Sequence, residues 1–260
     1  MQGSNEAQAS THDNGAAKSM QPIPPTDKTS TISPLASPMH TILVLAVLGV
    51  WAARGILRAD SMRSVAEPDR VSMYLSTLLF EWIVVLIVFV GVWKSGSPLH
   101  SILGERWRSF TEFLRDIGIA MVFWIASTLL LSMISPMLKF GTPERGVQYL
   151  LPQGIFETAL WIALSVTAGI CEEAIYRGYL QRQFASMMKS LPLGILLSAA
   201  AFGAAHSYKG PKGALLACLT GLTLGVLAAW RRSVRPGMIA HIWGDMFAGV
   251  FARMLKIPIA

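Results

Sequence analysis

Charge is what this sequence has least of: 14% of its 260 residues are Asp, Glu, Lys or Arg, where a soluble domain carries about 25%. With 53% hydrophobic residues and a mean hydropathy of +0.49, a water-soluble globule is excluded. Cysteine is nearly absent. Cys171 and Cys218 both fall inside apolar runs, where thiols act as small apolar residues, so no disulfide framework is indicated. No CxxC, zinc-finger or HExxH pattern occurs. Also missing is the alternation over ten-residue segments that marks an outer-membrane barrel, which leaves helices as the spanning element. The later polar clusters have no counterpart in the first half, which argues against a transporter built from repeats. Nucleic acid is not the expected partner despite a net charge of +7. The basic residues sit in short clusters between apolar runs, as at Arg231, Arg232 and Arg235, the ordinary place for loops that meet anionic lipid.

What is present divides in three. Residues 1–38 are rich in Ser, Thr, Pro, Gln and Asn, too polar to offset their ordering entropy, and are expected to form a disordered tail. They lack the basic and apolar regions of a cleaved signal. Membrane helices are expected over 39–150, and a core bearing the chemistry over 151–260. Seven apolar runs, near 39–58, 73–93, 117–137, 154–180, 191–206, 213–230 and 236–255, predict an all-α polytopic membrane bundle of about seven transmembrane helices. The fifth run is short and starts at Pro192, a residue suited to a first helical turn. A charged stretch over 105–116 is expected to lie along the membrane interface. The spacing Gly221-x-x-x-Gly225 permits close helix approach within the bundle.

Ionisable residues inside apolar runs are costly and ask for a reason. Three clusters occur in the C-terminal half: Glu172-Glu173-x-x-x-Arg177, Phe202-x-x-x-His206 and His241-x-x-x-Asp245. A separation of four puts Glu173 and Arg177 on one helical face, where they can pair, and it puts His241 and Asp245 on another, where the carboxylate either orients the imidazole or stands beside it in a cavity. Glu172 lies about 100° further round and is free to point elsewhere. Phe202, one turn from His206, can wall one side of a pocket. Each cluster has a bland reading, an ion-pair lock, an interfacial histidine or an interhelical clasp. Glu81 stands alone in the second run with no motif around it; a helix clasp, a proton site and a lateral wall of the cavity are all open to it.

Together, in this order and spacing, the three clusters resemble the signature of the CPBP family, also called the ABI family. It includes the Ras-converting type II CAAX prenyl endopeptidases and bacterial bacteriocin-processing or self-immunity proteins. The resemblance covers about residues 155–255. It implies an intramembrane endopeptidase, with the active core in the C-terminal four helices, that cleaves near the C-terminus of a membrane-associated peptide, either a prenylated CAAX-like tail or another peptide. Membrane lipid and such a peptide are the implied partners. Glu172 would activate water, His206 would hold it, and His241 with Asp245 would steady the oxyanion; Glu173 and Arg177 would fix the helix. Eukaryotic members usually carry Asn where this chain has Asp245, and an ionised Asp can only accept hydrogen bonds, so Asp245 is expected instead to orient His241, to sit protonated or to bind a cation. A metalloprotease form is open as well: if a divalent metal such as zinc is held, Glu172, His206 and His241 are its ligands. A non-catalytic scaffold or immunity protein of the same family is the alternative. Small size points to a prokaryotic plasma membrane.

Overall fold

A computed structural model describes residues 33–65, 68–104, 106–138 and 147–251. Most of the expected tail, residues 1–32, and the end of the last run, 252–255, lie outside the described residues. Each apolar run forms a helix: α1 Pro38–Ser64, α2 Arg70–Lys94, α3 Phe110–Ile134, α4 Gly154–Met187, α5 Leu191–Ala205, α6 Gly210–Arg231 and α7 Arg235–Met246. Local chemistry sets their starts. Side-chain oxygens of Ser37, Asp69, Ser109 and Ser190 accept from the first free backbone N–H groups of α1, α2, α3 and α5, and Pro occupies an opening position in α1, α5, α6 and α7.

Among the described residues, five helices are long and apolar enough to cross a membrane: α1, α2, α3, α4 and α6. The expectation of about seven spans is therefore met only in part, since α5 has 15 residues and α7 has 12 before a π-helical turn over Phe247–Phe251. The bundle is apolar outside as well as inside. Leu79, Leu86 and Val122 are 64%, 62% and 70% exposed, which suits a surface bathed in lipid. The chain is an integral, multi-pass membrane protein. The stretch over 105–116 does not form a separate surface helix. From Phe110 it is already the start of α3, and Trp107 folds back to donate from Nε1 to Asp116 at 2.9 Å, while Arg231 binds the other oxygen of Asp116 at 3.1 Å.

The core surrounds α4, where Cys171, Ile175, Tyr179 and Leu180 pack against Val84 and Val88 of α2. α5 and α6 pair closely. A methyl group on Gly221 would stand 3.1 Å from the Ala199 Cα, and one on Gly225 would stand 2.8 Å from the Gln181 Oε1, so the spacing seen in sequence serves the bundle itself. Near the far end of α4, Gln183 clasps the approach to α1. Its Oε1 accepts from the N–H of Leu35 at 2.6 Å, and its Nε2 donates to the Ala36 carbonyl at 2.9 Å and to Thr41 Oγ1 at 2.7 Å.

Candidate active site

α4 is not uniform. It is α-helical to Glu172, π-helical over Glu173–Leu180, and α-helical again from Gln181; the Gln181 N–H reaches the Tyr176 carbonyl, five residues back. Such wider turns recur at functional sites because they re-aim side chains. Here the change falls between the two adjacent glutamates and separates their surroundings. Glu172 faces a cavity of about 590 Å³. Glu173 is fully buried and points into the protein, where its Oε1 accepts from Arg177 Nη1 at 2.6 Å. The Arg177 guanidinium in turn lies over the Phe202 ring, 4.3 Å from its centre, a cation–π contact.

The same Glu173 oxygen accepts a second hydrogen bond, from His241 Nδ1 of α7 at 3.0 Å. That bond fixes the ring, so Nε2 is the nitrogen left facing the site, 3.5 Å from Glu172 Oε2 and 3.7 Å from Asp245 Oδ2. The carboxylate nearest the imidazole is thus Glu173, at Nδ1, while Asp245 stands beside the other ring nitrogen in the cavity. Asp245 is the more open group, with its side chain 40% exposed, and its carbonyl accepts from Trp161 Nε1 at 2.9 Å. A close crossing of α4 and α7 makes the His241–Glu173 bond possible: a methyl group on Gly169 would stand 3.0 Å from the backbone of both Met238 and Ile242.

His206 ends α5. Its Nδ1 donates to the Phe202 carbonyl one turn back at 2.9 Å, which leaves Nε2 as the unprotonated nitrogen of the neutral ring. The His206 and Phe202 rings lie 4.4 Å apart, and Phe202 also stands edge-on to Tyr176 at 5.0 Å. Glu172, Phe202, His206, His241 and Asp245 all line the one cavity, and so does Glu81 from α2. Glu173 and Arg177 stand behind them. Sequence spacing gave no sign of Glu81, nor of the contact between Glu173 and His241, which are 68 residues apart.

The residues do not fit a zinc site. Among the described residues, no group of three or more His, Cys, Asp or Glu is arranged to hold a metal ion. The metalloprotease form expected from Glu172, His206 and His241 is not supported, and no step is derived through a metal.

These features define a class: a membrane helix bundle that encloses carboxylates and imidazoles in one cavity, lined by N-terminal as well as C-terminal helices. Residues 154–247 match the family model described as type II CAAX prenyl endopeptidase Rce1-like, and over this segment the chain is similar to that family of membrane proteases. No curated protein and no solved structure matches the chain.

Proposed function

We propose that this protein is a glutamate-dependent intramembrane endopeptidase that cuts a peptide bond near the C-terminus of a membrane-associated substrate, a prenylated CAAX-like tail being the class its family implies. The observation that carries this reading is the division of labour between neighbours: Glu172 faces the cavity while Glu173 is bound by Arg177 and His241.

In this reading Glu172 takes a proton from a water held with His206 Nε2, and the hydroxide attacks the scissile carbonyl. When His241 carries both ring protons, Nδ1–H stays on Glu173 and Nε2–H is the donor offered to the oxyanion. Glu172 then passes its proton to the leaving amine as the C–N bond breaks. An ionised Asp245 cannot donate, so the oxyanion depends on His241 and on backbone donors. Removing one such donor typically costs about 10²–10³ in rate.

The test is cleavage of prenylated and unprenylated C-terminal peptides by the purified protein and its Glu172→Gln variant. Activity should fall by about 10²–10⁴-fold in a variant that still folds; equal rates would sink the mechanism. A folded wild type silent across the panel would favour the alternative, a non-catalytic membrane scaffold or immunity protein of the same family.

A further inference from the structure

Glu81 reaches the cavity from α2, far in sequence from the three clusters. Tyr74, Thr77, Phe80 and Glu81 all line it, at spacings that put them on one helical face. Glu81 is 6% exposed, and its Oε2 has no hydrogen-bond partner. Nearby hydroxyls on the same helix are spent on backbone: Ser76 and Thr77 both donate to the Met73 carbonyl, each at 2.9 Å. The charged groups that act on Glu81 across the cavity are carboxylates themselves, Glu172 and Asp245. A buried oxygen without a donor is costly, and an ionisable group placed in a membrane interior calls for a function.

A peptide entering this cavity brings what Glu81 lacks. Each residue carries a backbone N–H that must find an acceptor once it leaves water. We propose that Glu81 is a substrate-binding residue: its Oε2 accepts a hydrogen bond from a backbone N–H beside the scissile bond and holds the peptide across from Glu172. A carboxyl oxygen can accept whether or not the group is ionised, so the contact does not depend on charge. It positions the carbonyl for attack, and small misplacements there cost rate steeply. The scissile bond in this inference rests on the protease reading; the peptide contact does not.

The experiment separates the two. A fluorescent farnesylated peptide with a free C-terminal carboxylate is titrated against full-length Glu172→Gln protein in nanodiscs, alone and with Glu81→Gln or Glu81→Leu added. Glu81→Leu should weaken binding by about tenfold or more. Glu81→Gln keeps a carbonyl acceptor at the same reach and should stay within about threefold. Equal affinity in all three proteins overturns the contact. So does an equal loss in the Gln and Leu variants, which would assign the effect to charge or packing, and so does the absence of binding in all. Thermal unfolding is followed in parallel, and Glu81→Met replaces Glu81→Leu should the latter fail to fold. A wild type that binds the peptide without cleaving it, together with the Gln and Leu pattern above, would support the contact and remove the proposed reaction.

Discussion

Replacing Arg177 by Met should cost the protein more than any single change outside the cavity. Arg177 and Glu173 are paired at 2.6 Å with side chains 1% and 0% exposed. Without Arg177, the Glu173 carboxylate keeps only His241 Nδ1 as a partner, and an uncompensated buried charge costs about 3–5 kcal/mol. For a domain of this size that is a fall of roughly 6–20 °C in Tm. The double variant Glu173→Gln with Arg177→Met leaves no orphaned charge and should recover at least half of the loss. Its cleavage activity should nevertheless stay down by about 10²-fold, because His241 has lost the carboxylate that fixes its ring. Thermal unfolding in detergent and peptide cleavage measure the two effects separately. A double variant as unstable as Arg177→Met would refute the charge argument and assign the loss to the Phe202 contact. Full activity in the double variant would show that Glu173 does not set His241.

Asp245→Asn should retain activity within about tenfold, since an Asn amide can donate to an oxyanion; cleavage kinetics against Asp245→Ala checks this. Gly169→Val forces α4 from α7 and should cost about 1–3 kcal/mol in unfolding experiments, with a larger loss of cleavage because the His241–Glu173 bond lengthens. Tyr74→Phe removes the donor to the Leu150 carbonyl, a bond of 2.5 Å, and should lower stability by about 1–3 kcal/mol if that buried carbonyl finds no other partner.

Hydropathy located the helices because a span must be apolar along its whole length, and each of the seven runs became a helix. It could not say how many cross the membrane, because α5 and α7 are short. The four-residue spacing correctly paired Glu173 with Arg177. It also placed His241 beside Asp245, 3.7 Å apart, but gave no sign of the nearer partner Glu173, because spacing describes neighbours within a helix and not those across a crossing. The π-helical turns of Glu173–Leu180 were equally invisible: they arise from the packing of α4 against its neighbours, and no residue type in that stretch announces them. Glu81 carried no motif, and the cavity wall, where it stands, was one of three places open to it, since contact with a cavity needs no motif.

The clasp made by Gln183 bears on the order in which this protein is made. It joins residues about 148 positions apart, and closing so long a loop has an entropic cost that only prior packing can offset. α1 leaves the ribosome first, yet its approach, Leu35 to Thr41, finds Gln183 only after α2, α3 and most of α4 have been synthesised. Until then Leu35 and Ala36 lack the side-chain partner they have in the finished fold, and α1 must wait in the bilayer without its clasp. Fastening of the N-terminal helix is therefore a late event of assembly, reached only when the helix carrying Glu172 is itself in place.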